Sequence, residues 1–404
     1  MTDVASLARA PCSEAQHQPN RLSRRIEREI AAIGARIERG SIDVTLPTGR
    51  RLHFGVGEPH AELTLHGWGA LSALAARGDI GWGEAYIAGL WDSPDIEALA
   101  RVTLLNGAAF EKPLRPNRIN QAVFRLTDRL IRRNSRAGSA RNIRAHYDVG
   151  DAFYRLWLDP TMTYSAALFR DGADSLEAAQ KAKYRRLLDA TADAGPRTLE
   201  IGCGWGGFAE AAAAAGREVT AITISKAQHA YARKRLGDDA RIVLSDYRDI
   251  GGTYDSIVSI EMIEAVGERY WPVYFQTVKQ RLAAGGRAAI QAIIVDDLHF
   301  ETYRRRSDFI RQYIFPGGML LSPAALERAA RGAGLKMENL HRFGGDYART
   351  LRQWQADFEA ALPEIKALGY DDGFIRGWRY YLAICAATFA LGRTDVAHVE
   401  FVHA

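Results

Sequence analysis

The sequence has very few cysteines, and they are far apart in the chain. Cys12, Cys203 and Cys385 are too few and too scattered for a disulfide framework or a zinc site. We therefore expect a protein of the reducing cytoplasm with no metal centre.

Long apolar runs are also missing. The first thirty residues contain no apolar segment of signal-peptide length. No run approaches the roughly 20 apolar residues that a membrane-spanning helix needs. Hydrophobic residues still make up 47% of the chain, enough for a sizeable core. A protein of this composition would have to act on lipid from the membrane surface.

The charge is unevenly distributed. The whole chain of 404 residues carries a net charge of +5, whereas residues 111–145 alone carry ten basic residues against two acidic ones. Such a balance favours an anionic partner. The segment also has an apolar stripe (Ile119, Val123, Leu126 and Leu130), and a basic amphipathic helix suits an anionic membrane interface. The alternative is a linker helix packed on the core. Nucleic acid is disfavoured because few aromatic residues lie between the arginines.

The chain length predicts two domains. Residues 1–20 are small and polar, which predicts a disordered tail. Residues 21–39 have a helical apolar stripe, and from Ser41 a period of two predicts a hairpin. A segment rich in glycine and tryptophan follows at 80–94. We predict an α+β domain over residues 21–110, as a structural module or a lipid- or partner-docking module, and a basic connector over 111–145.

Strand and helix patterns alternate over the remaining chain, from 146 to 404. Helices are predicted at 176–192 and 269–282, and strands at 218–224, 242–244, 256–260 and 287–294. This alternation is typical of an α/β fold with a parallel sheet. Ligands of such folds bind at the carboxyl ends of the strands.

A glycine-rich turn joins one of these strands to a helix, in the segment Thr-Leu-Glu-Ile-Gly-Cys-Gly-Trp-Gly-Gly-Phe at 198–208. Gly202 and Gly204 have no Cβ, so the backbone can approach a bulky ligand closely. Glu200 lies two residues before the first glycine, where it can pair with an ammonium group. A pyrophosphate would be repelled there, whereas the cation S-adenosylmethionine would not. By itself this turn is a weak signal.

Five further segments, together with the glycine turn, make the chain resemble the cyclopropane-fatty-acid synthases, which include the mycolic acid cyclopropane synthases. The segments lie at 146–154, 158–165, 223–228, 259–271 and 313–318. The resemblance covers about 145 to 355. It implies a class I methyltransferase fold, with a Rossmann-like parallel sheet, helical lid insertions and a smaller N-terminal α+β domain. It also implies S-adenosylmethionine as the methyl donor.

The resemblance assigns cofactor contacts position by position. Tyr164 and Ser165 would close over the cofactor, and Gly202 and Gly204 would admit its methionine part. The ribose would lie near Thr223 and Gln228, and the adenine would be flanked by Asp246, Tyr247 and Arg248. Read without the family, Thr223 and Gln228 look like an ordinary helix N-terminus.

The chemistry that the resemblance implies generates a carbocation on the acyl chain. The pocket must exclude water, stabilise this cation and remove one proton. Aromatic faces attract cations, and the candidates are Tyr147, Tyr270, Trp271, Tyr313 and Phe315. Except for Tyr147, the residue types by themselves favour an ordinary core position for each of them.

In the family, a bound bicarbonate removes the proton. Its cradle corresponds here to Glu264, Tyr347, Ile293, Ala166 and Gln291. Ala166 stands where the family has cysteine, which matters little if only its backbone N–H is used. Gln291 stands in place of histidine and can carry neither a proton nor a charge. This departure leaves the use of bicarbonate, and with it the final product, open.

These patterns predict a methyltransferase on the inner membrane face that acts on unsaturated acyl chains of phospholipids. Ring closure to a cyclopropane is the leading product, and a methyl-branched unsaturated chain is the runner-up. A small-molecule methyltransferase and a catalytically silent lipid-binding protein are the rivals. The oligomeric state stays open, with a homodimer as one option.

Overall fold

The computed structural model describes residues 21–110, 149–169 and 175–404. The predicted tail at 1–20, the basic connector at 111–145 and Tyr147 lie outside the described residues and remain predictions. Within the described ranges no helix is both long enough and apolar enough to cross a bilayer.

Residues 21–110, here called the N-terminal unit, form a four-stranded sheet covered by helices. Its strand order is β2-β1-β3-β4. The predicted hairpin is present as an antiparallel β1–β2 pair, whereas β3 runs parallel to β1. The elements are α1 (Arg21–Gly34), β1 (Gly40–Thr45), β2 (Arg51–Val56), β3 (His60–Leu65), α2 (Gly69–Arg77), α3 (Asp79–Ile87), β4 (Trp91–Asp92), α4 (Ile96–Leu105) and α5 (Gly107–Phe110).

The segment rich in glycine and tryptophan packs the N-terminal unit onto the rest of the molecule. Trp82 stacks on Trp91 with ring centroids 4.5 Å apart. A Cβ at Gly83 would lie 2.4 Å from the Phe309 ring and 2.9 Å from Tyr380. Only glycine allows this close approach of α3, which explains the composition of the segment.

Residues 175–404 form a seven-stranded sheet in the order β10-β11-β9-β8-β5-β6-β7. Strands β7, β6, β5, β8 and β9 are parallel, and β11 runs antiparallel to both β9 and β10. The strands are β5 (Arg197–Ile201), β6 (Glu218–Thr223), β7 (Ala240–Leu244), β8 (Tyr254–Ile260), β9 (Leu282–Val295), β10 (Leu335–Arg342) and β11 (Thr394–His403). The α/β class predicted from the alternation is confirmed.

Helices pack around this sheet. They are α6 (Asp151–Tyr154), α7 (Leu176–Asp189), α8 (Gly207–Ala214), α9 (Lys226–Leu236), α10 (Trp271–Arg281), α11 (Asp297–Arg305), α12 (Pro323–Gly332), α13 (Gly344–Ala360), α14 (Leu362–Ala367) and α15 (Asp372–Ala390). The predicted helix at 176–192 is thus shorter, with a 3₁₀ turn at Ala192–Ala194. The predicted strand at 287–294 is longer, beginning where helix α10 ends.

Candidate active site

The carboxyl ends of β5, β6, β8 and β9 open into a cavity of about 940 Å³. The cavity continues between the two units into the apolar interior of the N-terminal unit, where Ile42, Leu65 and Trp91 line it. Parallel strands place their carboxyl ends at one edge of the sheet, which is where α/β folds bind ligands.

The glycine turn forms one wall of this cavity, and its two glycines have different reasons to lack a side chain. Gly202 has φ +85°, and a Cβ there would lie 2.7 Å from the Met262 side chain. Gly204 has φ +51°, and a Cβ there would meet no described protein atom within 4 Å. The space beside Gly204 is therefore free for a ligand, whereas Gly202 is fixed by packing.

Glu200 precedes this turn on β5 and lines the cavity. The residue is only 2% exposed, and one carboxylate oxygen has no hydrogen-bond partner among the described residues. Burial raises the pKa of Glu200 to about 8, although the nearby Lys183 opposes the shift. An unpaired buried carboxylate oxygen is costly unless a cationic ligand satisfies it. Glu200 thus fits the ammonium group of S-adenosylmethionine.

Tyr164 and Ser165 line the cavity, and each is fixed by a hydrogen bond to another side chain. The Tyr164 hydroxyl lies 2.8 Å from that of Tyr381. Lys183 Nζ donates to Ser165 Oγ at 2.7 Å. Burial lowers the pKa of Lys183 to about 7. The structure therefore brings the Tyr-Ser pair to the cavity and adds a buried lysine that the sequence did not single out.

The residues predicted near the nucleoside divide into two groups. Thr223 and Gln228 are buried, line the cavity and hydrogen-bond to each other at 3.1 Å. Asp246 and Tyr247 also line it. Arg248 does not, because its guanidinium pairs with Asp246 at 2.6 Å. The prediction that Arg248 flanks the adenine is not supported by this placement, and Arg248 instead orients Asp246.

The predicted bicarbonate cradle already holds a carboxylate of the chain itself, that of Glu261. The Ala166 N–H donates to Glu261 Oε1 at 2.8 Å, and the Gln291 amide donates to the same oxygen at 2.7 Å. The Tyr347 hydroxyl donates to Glu261 Oε2 at 2.8 Å. Three of the groups expected to hold bicarbonate are thus occupied by Glu261.

This arrangement corrects the placement of Ala166 and Gln291. Neither lines the cavity, and the Gln291 side chain is fully buried behind Glu261. His398 Nε2 lies 2.8 Å from the Gln291 amide oxygen, which turns the amide nitrogen toward Glu261. Gln291 therefore positions Glu261 and does not face the substrate space.

Glu261 has an unusual backbone at the end of β8. Its φ is +48°, in the left-handed region that residues other than glycine seldom adopt. Such a conformation persists only where surrounding contacts hold it, and it is concentrated at functional sites. The sequence did contain a signal for Glu261: it directly follows the buried strand β8, and Glu264 comes three residues later. Sequence reasoning assigned only Glu264.

Glu264 lies beside Glu261 but has a different environment. Its Oε1 accepts the Ile293 N–H at 2.5 Å, and its Oε2 is buried without a partner among the described residues. Burial, and then the negative charge of Glu261, raises the pKa of Glu264 to about 8. Burial also raises the pKa of Glu261, although Lys183 and three hydrogen bonds oppose this shift. The site therefore contains two adjacent acids, and Glu261 is the one whose carboxyl group accepts three hydrogen bonds.

The aromatic candidates for cation stabilisation are mostly placed elsewhere. Phe315 lines the cavity, whereas Tyr270, Trp271 and Tyr313 do not. Tyr313 instead hydrogen-bonds to Glu84 of the N-terminal unit. Aromatic rings that line the cavity come from α13, α15 and the residue before the helical segment Ile310–Ile314: Phe309, Tyr347, Tyr380, Tyr381 and Phe389. Of these, Tyr347 contacts Glu261.

Comparison with known proteins identifies the family. The model of the mycolic acid cyclopropane synthetase family matches residues 134–399. The chain belongs to this family. It is 38% identical over 358 residues to the tuberculostearic acid methyltransferase UfaA1 of Mycobacterium tuberculosis, covering 85% of this chain and 83% of the relative. It is 34% identical over 337 residues to the cyclopropane-fatty-acyl-phospholipid synthase of Escherichia coli, covering 80% and 83%.

Solved structures agree with this family assignment. The cyclopropane synthase MmaA2 of Mycobacterium tuberculosis matches with a TM-score of 0.61 and 28% identity, over 65% of this chain and 97% of that one. The mycolic acid cyclopropane synthase CmaA1, solved with S-adenosylhomocysteine, matches with a TM-score of 0.60 and 30% identity over the same shares. The chain is therefore an S-adenosylmethionine-dependent methyltransferase of the lipid-modifying type.

Proposed function

We propose that this protein transfers a methyl group from S-adenosylmethionine to the double bond of unsaturated acyl chains in membrane phospholipids. The supporting observation is the cavity itself, which connects the glycine turn with a deep apolar interior. An acyl chain can enter such a space, whereas a small polar substrate would leave most of it empty. The name of the Escherichia coli relative supports phospholipid as the substrate.

The chain's residues fit the cofactor at one end of the cavity. Glu200 offers an unpaired carboxylate oxygen for the ammonium group, and Gly204 leaves space for the methionine part. Thr223 and Gln228 offer polar groups for the ribose. When bound, the cofactor supplies an electrophilic methyl group on a sulfonium.

Methyl transfer forms a carbon–carbon bond with the alkene and breaks the carbon–sulfur bond, so that the positive charge moves from sulfur to an acyl carbon. The aromatic lining and the exclusion of water protect this cation. One proton must then leave. We assign its acceptor as the Glu261 carboxylate, a base that the chain supplies itself, so that bicarbonate is not required. Ala166, Gln291 and Tyr347 hold this base in place.

The fixed position of Glu261 influences whether the product is a cyclopropane or a methyl-branched alkene. Loss of a proton from the new methyl group while the charge is on the neighbouring carbon closes a ring. A hydride shift before proton loss gives instead a methyl-branched alkene. Three hydrogen bonds fix Glu261 in place and prevent it from following the methyl group, which leaves time for the hydride shift. We therefore place the methyl-branched unsaturated chain ahead of the cyclopropane, and the name of the UfaA1 relative supports this order.

Expression in a bacterial host that lacks such enzymes tests the function directly. Mass spectrometry of the fatty acids should show chains that are heavier by one CH₂. Hydrogenation before chromatography separates the products, because the branched alkene takes up hydrogen and the ring does not under mild conditions. If no acyl chain gains mass, the proposed substrate is wrong; if the ring predominates, the proposed product is wrong.

Two substitutions at Glu261 test its assignment as the base. Glu261→Gln keeps the shape but removes the basicity, and it should lower turnover about 10²- to 10⁴-fold. Glu261→Gly suits the left-handed backbone and vacates the cradle. Added bicarbonate should partly restore turnover in Glu261→Gly and not in Glu261→Gln. A wild-type enzyme that loses activity when bicarbonate is removed would contradict the assignment.

A further inference from the structure

The cavity has exposed lining residues on the seam between the N-terminal unit and the catalytic sheet, where Arg393 lies between His299 and Leu104. Five of its described lining residues are exposed: Gly107, Ala265, His299, Thr302 and Arg393. All except Ala265 belong to this seam, here called the cavity mouth. Arg393 spans it, with one guanidinium nitrogen 2.8 Å from His299 Nε2 on α11 and the other 3.4 Å from the Leu104 carbonyl oxygen of α4.

Arg393 is a cation without a counter-charge in the described part of the chain. No described carboxylate lies within 4 Å of its guanidinium. Its two side-chain contacts are with neutral acceptors, one of them long. The nearby acids on α11 have other partners: Asp296 accepts the Leu298 N–H, Asp297 accepts the Ala324 N–H, and Glu301 pairs with Arg304 and Arg305.

An exposed apolar side chain belongs to the residue that precedes His299, the partner of Arg393. Leu298 is 87% exposed, more than any other large hydrophobic residue in the described ranges, and it directly precedes His299 of the mouth. The described N-terminal unit ends at Phe110, which lines the same cavity. The next residues in sequence, 111–145, are the strongly basic segment. Arg393 and, on the residue that precedes its partner His299, an exposed leucine thus lie where an apolar cavity opens.

We infer that the cavity mouth docks on an anionic phospholipid bilayer, with Arg393 contacting a lipid phosphate and Leu298 entering the interface. This inference rests on the proposed function, because it identifies the face through which the acyl chain would enter. An apolar side chain beside a cation fits the boundary between headgroups and acyl chains. When Arg393 moves to a phosphate, its contacts with His299 and Leu104 are released and the mouth widens.

Flotation with vesicles of unsaturated phosphatidylglycerol and phosphatidylcholine tests the inference independently of catalysis. Arg393→Gln should weaken binding about fivefold, and the double variant with Leu298→Asn about tenfold or more. Arg331→Gln and Leu368→Asn are matched controls. Arg331 is an exposed arginine on α12, and Leu368 is 47% exposed; neither lines the cavity. Both controls should bind like wild type.

Kinetics on the same vesicles provide the second readout. The double mouth variant should raise KM for vesicle lipid about tenfold, with kcat and S-adenosylhomocysteine affinity unchanged. Unchanged vesicle binding in the mouth variants would overturn the inference, whatever the enzyme does to lipid. Binding that fails to appear for wild type, together with methylation of acyl chains on an acidic carrier protein, would assign the mouth to a protein partner instead. If the wild-type protein binds vesicles but does not methylate their lipids, the proposed function is wrong, whereas the docking inference is supported.

Discussion

At the residue scale, the two ends of the site contain carboxyl groups with different environments. Glu200 is buried with an unpaired oxygen, Glu264 is buried beside another acid, and Glu261 is bound by three donors. Burial raises the pKa of all three groups, but at Glu261 three hydrogen bonds to the carboxyl group oppose the shift. This difference supports the proposed roles, cation binding for Glu200 and proton acceptance for Glu261.

Cofactor affinity should depend on pH through Glu200. Because its pKa is raised to about 8 in the free protein, the carboxyl group is largely neutral below that pH, and binding an ammonium group requires it to lose a proton. Affinity for S-adenosylhomocysteine should therefore rise as pH increases toward 8, by at most about tenfold per pH unit. Titration calorimetry on wild type and Glu200→Gln measures this. If the affinity of the Glu200→Gln variant still depends on pH in this range, the titrating group would be Lys183.

Gly204→Val should abolish cofactor binding while the fold survives. A Cβ there meets no described protein atom, so the valine would fill space that the cofactor needs. Gly237→Val is the control, since Gly237 has φ +54° against +51° at Gly204 and is equally open. Both variants should lose stability to backbone strain, and the control should lose at least as much, because Gly237 has ψ −121° and lies outside the left-handed helical region. Calorimetry with S-adenosylhomocysteine should show binding only in the control; equal affinities would refute the assignment of this turn.

At the scale of elements, α15 joins the two units through one arginine. Arg376 donates to the carbonyl oxygens of Tyr86 at 2.5 Å and Trp91 at 2.9 Å, and to Asp92 at 2.7 Å. Its guanidinium also lies 3.9 Å from the centre of the Tyr86 ring. The cavity runs along this seam, so the arginine also stabilises the wall of the substrate space.

Arg376→Met should lower the free energy of unfolding by about 2–4 kcal/mol, because two carbonyl groups and a carboxylate lose a partly buried charged donor. Arg352→Met is the matched control: Arg352 also joins the units, through Glu97, but its side chain is 49% exposed. An exposed pair is worth only about 0.2–1 kcal/mol. Denaturant unfolding compares the two variants, and equal losses would mean that Arg376 contributes no more than a surface pair.

At the scale of the whole molecule, the order along the chain is an N-terminal unit, a basic segment and a catalytic part. The basic segment at 111–145 separates the N-terminal unit from the catalytic part, and both parts line one cavity. An anionic bilayer would attract the segment and present acyl chains to the mouth, so the long-range charge and the local docking face would work together.

The basic segment should bind anionic vesicles in a salt-dependent manner, at roughly 1 kcal/mol per basic residue near the surface. Replacing Arg129, Arg132 and Arg133 with glutamine should therefore weaken pelleting with such vesicles strongly at low salt. Vesicles of purely zwitterionic lipid are the control and should bind wild type and variant alike. If binding does not weaken with salt, or the triple variant behaves like wild type, the segment is only a linker.

Much of the fold was determined by the sequence alone. Alternating helix and strand periods predicted the α/β class, and the hairpin at 41–54 was confirmed. Glu200 and Gly204 could be singled out because a strand, a turn and a helix adjacent in sequence are adjacent in space. Local pattern suffices for such features, since the backbone itself places the residues.

Only the tertiary structure points to Glu261 as the proposed base. Glu261 and Glu264 are three residues apart, yet their hydrogen-bond donors differ: Ala166, Gln291 and Tyr347 for Glu261, and Ile293 for Glu264. Likewise, only the tertiary structure showed that Arg248 pairs with Asp246 and that the Gln291 amide donates to the Glu261 carboxyl group. The hydrogen bonds that fix these side chains join strands and helices that are far apart in sequence. Such contacts produce no repeating pattern of residues, so they could not be predicted from the sequence.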